Sequence, residues 1–294
     1  MKPRVAVIII NYKTSHLLGK LIDSIKEITV DVSIVIVDNA STEETYSELL
    51  MIKDARLHIL RSYTNLGFTG GINFALKYLI ESKLDFKYFF LLNPDAFSND
   101  NLIGDLVQIL NINKDAAGVS PQVLYLNGDP WYTGGMIKYN EGKVVNHSID
   151  EIKCNAQSYE VDVFSGCAVL FDLSKVLEVG MFNEDLFMYF DEAELSIRLK
   201  RKGYKILYCP QHKIFHDVSY TTRKISHLKT YYMTRNKFIV FNNDMSLYNK
   251  IYFILYEMAF HLKNMRIRNV FYHIKGFYDF KRGKKGSMAI RSLT

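Results

Sequence analysis

The strongest constraint on this chain lies in residues 1–125, where short β-branched runs alternate with segments of helical period. Residues 4–10, 33–37 and 87–92 are apolar almost throughout, and they stop at Asn11, Asp38 and Asn93. A shorter run covers residues 57–60. Between these runs Ile72, Ala75, Leu76 and Leu79 recur with the spacing of one helix face. Ile103, Leu106, Val107 and Leu110 do the same after candidate caps at Ser98 or Asn99. Strands without polar alternation are buried on both faces, so the pattern predicts an α/β fold with a mostly parallel sheet between helices.

Further along, residues 119–126, 131–139 and 161–171 read as strands separated by turn signals, a mixed extension of the sheet. Residues 191–202 form a charged amphipathic helix ended by Gly203, and 204–208 return to the sheet. With 48% hydrophobic and 23% charged residues, such a chain buries a core without disulfides. Cys154, Cys167 and Cys209 form no CxxC pair, which fits a reducing compartment. The first apolar run is short and no small-residue cleavage site follows it, so it is expected to be a strand and the protein cytoplasmic. Residues 263–294 hold nine Lys or Arg and one acid, Asp279, or +8 against +6 for the whole chain. A near-neutral body with a basic tail points to a partner for the tail rather than to a basic catalytic groove.

Ligands of open α/β sheets gather at the carboxyl ends of the strands. Asp38, in VDNAS, is placed either to pair with a ribose or base or to cap the turn that follows. In LLNPDA, Pro94 stiffens the backbone before Asp95, which suits an oxygen ligand to Mg²⁺ or Mn²⁺ and equally suits a turn. Asp191, Glu192 and Glu194 open a helix behind the apolar residues Phe187, Met188, Tyr189 and Phe190. They serve either its dipole or, partly desolvated, as a base. Gly67, Gly70 and Gly71 permit close backbone approach to a diphosphate or a tight turn into a helix; their spacing matches neither GxGxxG nor a P-loop. His216 follows an apolar run and is either a partner of Asp95 or a structural histidine. Cys167, in FSGCAVLF, reads as core rather than as a nucleophile.

In order, VIIINYKTS, VDNAS, NLGFTGGIN, LLNPDA, VFSGCAVLF, FNEDLFMYFDEAELSIRLKRKGY, IFHDVS and YYMTRNKF span about residues 5–238. Together they resemble the family 2 glycosyltransferases of GT-A fold, in particular the bacterial rhamnosyltransferase-like branch. The resemblance implies a Rossmann-like central sheet with a helical C-terminal segment, and a nucleoside-diphosphate sugar as donor, dTDP- or UDP-linked, rhamnose being suggested. It implies donor contacts from Asn11, Asp38, Asn65, Gly67, Gly71, Asn93 and Arg235, the last beside Asn236 in a pair with either a positioning or a diphosphate-contact role. Asp95 and His216 fall to the metal, with Asn93 where many relatives carry the first acid of a DxD-type site. The family's Glu-Asp pair reads Asp191-Glu192 here, which aligns Glu192 with the base and Asp191 with its neighbour. Glu194 and Tyr189 fall on the acceptor side.

The implied reaction is a single inverting displacement with an acceptor alcohol in place of water. Residues 1–240 are expected to be the catalytic domain, and 241–294 an aromatic and basic extension that packs on it or on a membrane surface. The segment LYNKIYFILYEMAFHL followed by basic residues suits the inner face of an anionic membrane, and lipid-linked saccharides are acceptors in the resembled branch. No nucleic-acid-binding module is recognised. Two rival functions remain at this stage. A sugar-phosphate nucleotidyltransferase lacks its Gly-rich phosphate loop, and a silent sugar-binding or scaffold protein is left open by Asn93 and Glu192.

Overall fold

A computed structural model describes residues 2–27, 29–97, 101–153, 155–217 and 226–288. The candidate caps Ser98 and Asn99, Cys154, Val218 and Ser219 of the IFHDVS segment, and Arg291 lie outside the described residues.

The first half alternates as its sequence predicts. Strand β1 (Arg4–Asn11) leads to α1 (Ser15–Ser24), β2 (Asp31–Asn39), α2 (Glu43–Leu50), β3 (Leu57–Ser62), α3 (Gly67–Glu81) and β4 (Phe86–Leu92). The short β5 (Ala96–Phe97) and α4 (Leu102–Ile112) follow, then β6 (Ala116–Tyr125), β7 (Pro130–Tyr132), β8 (Gly135–Lys138) and β9 (Lys143–Asn146). Next come β10 (Tyr159–Val161), β11 (Ala168–Asp172), α5 (Leu173–Glu178), α6 (Asp191–Arg201) and β12 (Lys205–His216). Three helices close the described chain: α7 (Ser226–Phe241), α8 (Leu247–Lys263) and α9 (Ile267–Lys281).

Among the described residues the main sheet runs β10-β12-β6-β11-β4-β1-β2-β3, with β5 on β12 and β7 on β6. Strands β4, β1, β2 and β3 are parallel, while β11 lies antiparallel between β4 and β6. The sheet is therefore a parallel half joined to a mixed half. Its central strands are buried on both faces, as continuous Val, Ile and Phe runs require. The β1–β2 register sets Asn11 beside Asp38, so two of the predicted polar strand ends meet at one edge.

Two predicted strands are broken. Residues 131–139 divide into β7 and β8 because Gly134 turns at φ +96° and its carbonyl accepts from the His147 amide. Residues 161–171 divide because the 162–167 segment leaves the sheet before β11.

The C-terminal helices are packed, not trailing. At Gly276 a built Cβ would lie 2.7 Å from the Tyr231 carbonyl oxygen, so glycine lets α9 press against α7. Buried Asp279 accepts from the Tyr231 hydroxyl and the Lys275 ammonium, both at 2.9 Å, and Lys284 pairs with it at 3.0 Å. Part of the basic tail is thus used internally. On α8 the rings of Tyr248, Tyr252, Tyr256 and Phe260 stack one turn apart, at 6.1, 5.6 and 6.4 Å between centroids. No described helix is long and apolar enough to cross a membrane.

Candidate active site

Asp38, the penultimate residue of β2, is completely buried. Its Oδ1 accepts from the Asn11 amide at 3.2 Å, and the Arg61 Nε lies 3.7 Å from its Oδ2. It does not cap the next helix, because Thr42 takes that role for α2. Asn11 Oδ1 is occupied by the Thr14 amide and hydroxyl at 3.1 and 2.8 Å. Asn11 therefore orients Asp38 and the turn after β1. Arg61, which sequence reasoning passed over, stacks 3.9 Å above the Tyr46 ring and brings a cation to this edge. Its only signal was a lone cation at the end of a short strand.

A second cluster forms where β5 pairs with β12, His216 opposite Ala96. That register, closed by the Asp217 amide on the Asp95 carbonyl at 2.9 Å, brings the His216 Nε2 within 3.0 Å of the Asp95 Oδ1. The Asn93 side-chain amide is 3.5 Å from the same Nε2, and Trp131 meets the imidazole edge-on with centroids 4.8 Å apart. His216 Nδ1 has no hydrogen-bond partner among the described residues. Those residues contain no group of three or more His, Cys, Asp or Glu able to hold a metal. A buried carboxylate and imidazole do, however, fit a hard divalent ion that takes the rest of its shell from phosphate oxygens.

The third cluster opens α6. Asp191 is buried, and one of its carboxylate oxygens has no hydrogen-bond partner among the described residues. Burial first, and then the charge of Glu192, pushes its carboxyl well above the usual range. Glu192 faces a cleft of about 1360 Å³, and burial raises its carboxyl too. Gly166 makes its room, since a Cβ there would overlap the Glu192 carboxylate. The flanking Cys167 carbonyl accepts from the Asn93 amide at 2.9 Å. The turn sheltering Glu192 is thereby tied to the strand end that leads to Asp95. Tyr189 lines the same cleft, its hydroxyl raised by burial and then by Glu192 and Asp191. Cys167 is core, its thiol pushed up by burial and then by Asp95.

Several predicted contacts are placed otherwise. Glu194 does not line the cleft: Arg198 grips it at 2.8 and 2.7 Å while also donating to the Val179 and Met181 carbonyls. Arg235 does not reach out to a donor. Its buried guanidinium is consumed by the carbonyls of Gly286, Asp185 and Leu186 at 2.7, 3.0 and 3.0 Å, and its Nε by Asn236. The Asn236 amide donates to the Leu186, Met188 and Tyr189 carbonyls at 2.9, 2.7 and 3.0 Å. A buried polar group without partners is costly, and these two side chains satisfy the loop that leads into α6.

The glycine-rich turn serves the same loop. Asn65 Oδ1 accepts from the Gly67 amide at 2.9 Å, and the Asn39 carbonyl oxygen of its side chain takes the Leu66 amide at 2.8 Å. The Phe68 and Thr69 amides donate to the Phe187 carbonyl at 2.7 and 3.3 Å. A Cβ at Gly67, where φ is +73°, would run into Phe187, and one at Gly71 would sit 3.1 Å from Ile10. The close approach of Gly67 and Gly71 is therefore to protein. Asn65 and these amides bind the turn into α3 rather than a free diphosphate.

With the geometry in place, comparison gives the class. A family profile described as "Glycosyl transferase family 2" matches residues 6–177, more than half of the chain, and the protein belongs to that family. It is a glycosyltransferase. It is 26% identical over 253 residues to the low-salt glycan biosynthesis hexosyltransferase Agl10 of Haloferax volcanii, covering 82% of this chain and 76% of that protein. Its fold is similar to that of GalNAc-T7, solved with UDP, GalNAc and Mn²⁺, at TM-score 0.66 and 15% identity. That match covers 96% of this chain but only 58% of the other. It is also similar to the mannosyltransferase PcManGT of Pyrobaculum calidifontis, solved with GDP-Man and Mn²⁺, at TM-score 0.58 and 16% identity. The alignment covers 98% of this chain and 77% of that one. These likenesses establish a GT-A-like fold with a large central sheet.

Replacing Asn236 by Ala leaves the Leu186, Met188 and Tyr189 carbonyls without this donor. The unfolding free energy should fall by about 1–3 kcal/mol. Urea denaturation reads it, and an unchanged midpoint would show that the amide contributes nothing.

Proposed function

We propose that the protein is an inverting glycosyltransferase in which Glu192 is the general base. The observation that carries this reading is a half-buried carboxylate at the start of α6 that faces a large cleft, sheltered by a turn hydrogen-bonded to the strand end that leads to Asp95. The acceptor hydroxyl attacks the anomeric carbon, the bond from that carbon to the diphosphate oxygen breaks, and Glu192 takes the hydroxyl proton. Asp191, buried beside it and outside the cleft lining, tunes Glu192 instead of competing for the proton. Asp38, oriented by Asn11, recognises the nucleoside. Asp95 and His216, with Asn93 alongside, are the residues to hold Mg²⁺ or Mn²⁺, which would supply positive charge to the departing diphosphate. The Mn²⁺-bound neighbours favour that assignment.

The donor is a dTDP- or UDP-linked sugar, with rhamnose the first to test, and the product belongs to surface polysaccharide. A glycan-building hexosyltransferase among the relatives supports the last point. Residues 1–240 form the catalytic part, and 241–294 the extension that walls the acceptor side. The outward faces of α8 and α9 expose Leu247, Ile251, Leu255, Ile267, Phe271 and Ile274 close to Lys250, Lys263, Arg266 and Arg268. An apolar strip with cations suits the anionic inner surface of the cell membrane and an acceptor carried on lipid.

Glu192→Gln should lower transfer by about 10²- to 10⁴-fold while donor binding persists. Release of nucleoside diphosphate across a donor panel reads it, and full turnover would remove Glu192 from the base role. Because burial raises its carboxyl above the ordinary 4.5, the rate should climb with pH through a value above that range as Glu192 ionises. The same shift works against stability: raised carboxyls at Asp191 and Glu192 favour the folded state at low pH, and that contribution is lost as pH rises through their folded values.

Chelation of divalent metal should abolish release, and Mg²⁺ or Mn²⁺ should restore it. Undiminished turnover in chelator would exclude a required ion. The protein should sediment with anionic vesicles more than with neutral ones, and Ile251→Glu with Leu255→Glu should weaken this. Equal recovery on both vesicle types would remove the membrane contact.

A further inference from the structure

The cleft that holds Glu192 carries a second ionisable group for which the proton transfer has no use. Lys237 projects into it from α7 and is only 4% exposed. Its side chain has no hydrogen bond, and no carboxylate within 4.0 Å, among the described residues. Its ammonium instead lies 3.9 Å from the centroid of the Phe253 ring. A cation over an aromatic face regains less than desolvating an ammonium costs. Burial accordingly lowers its pKa to about 8, with the nearby Lys143 adding to the effect.

The surroundings are shaped for this side chain but do not neutralise it. Gly142, at φ +57°, leaves the space its stem passes through, since a Cβ there would sit 3.1 Å from Lys237 Cε. Of the acids whose charge reaches it, Glu141 is engaged elsewhere, while Glu257 faces only a histidine whose pKa burial lowers. Glu141 pairs with Lys143 at 2.9 Å, and Glu257 lies 3.6 Å from the His261 imidazole. Lys143, held by Glu141, lies on the same wall of the cleft, and Tyr252 and Tyr256 stand next to it.

From this we infer that Lys237 is the anion-recognising residue of the acceptor subsite, and that the acceptor carries a phosphate or carboxylate apart from the hydroxyl it presents to Glu192. The inference rests on the acceptor occupying the Glu192 cleft. An incoming anion would supply the counter-charge that the fold withholds, so neutral acceptors of the same shape are discriminated against. The specificity belongs to the transferase reaction and needs no additional chemistry.

Isothermal titration of the full chain with methyl phosphate, methyl glucuronoside and neutral methyl glucoside tests it. Wild type should bind at least one of the two anions, and which one identifies the acceptor's group. Lys237→Met should weaken that binding by more than about tenfold, and Lys237→Arg should keep most of it. Methyl glucoside should not distinguish the three proteins. Binding of both anions by Lys237→Met as tightly as by wild type overturns the assignment, as does no anion binding by wild type. A Lys237→Met chain that fails to fold is recognised by circular dichroism, and the Arg variant with the wild-type titrations then decides: loss of anion binding in a folded Lys237→Arg counts against it. Normal transfer by Glu192→Gln would instead sink the base assignment, leaving the lysine site to stand or fall on its own titration.

Discussion

The site depends on one stretch of backbone, residues 185–190, whose carbonyls are all spoken for. Arg235 takes Asp185 and Leu186, Asn236 takes Leu186, Met188 and Tyr189, the opening of α3 takes Phe187, and Glu194 takes Phe190. Phe187, Tyr189 and Phe190 all lie at φ between 64° and 67°, where side-chain-bearing residues are strained by about 1–3 kcal/mol each. Such a path holds only where its surroundings over-determine it. Here helices from both ends of the chain do so, and the result is an α6 that starts with Asp191 inward and Glu192 toward the cleft.

The division between those two carboxylates follows from position alone. A step of one residue at a helix start turns the side chain by about 100°. One acid is therefore sealed in the protein and the other reaches the opening made by Gly166. Burial disfavours the charge of both, and Glu192 further disfavours that of Asp191.

Much of the fold was legible because a buried parallel strand writes itself as an unbroken β-branched run, as in β1, β2 and β4. The polar ends of those strands also marked Asp38 and Asp95 correctly as neighbours of strand termini. The broken stretches were harder. Gly134 and Gly166 sit in apolar surroundings, and only the three-dimensional neighbours explain why each needs to lack a side chain. Between a positioning and a diphosphate-contact role for Arg235, the sequence offers no choice for a similar reason. An Arg-Asn pair on a helix looks like a phosphate contact until its burial and its carbonyl partners are known. Lys237, two residues on, gave no signal in a helix of mixed aromatic and basic composition.

One tie has a consequence for biosynthesis. Arg235 donates to the carbonyl of Gly286, 51 positions later, and the Gly286 amide returns to the Asp185 carbonyl at 2.8 Å. A nascent chain emerging from the ribosome has its sheet strands and both carboxylates well before it has that closing bracket. The 185–190 loop gains its last tie only after α8 and α9 have been translated, so a prematurely terminated product would carry every candidate site side chain and still lack that tie.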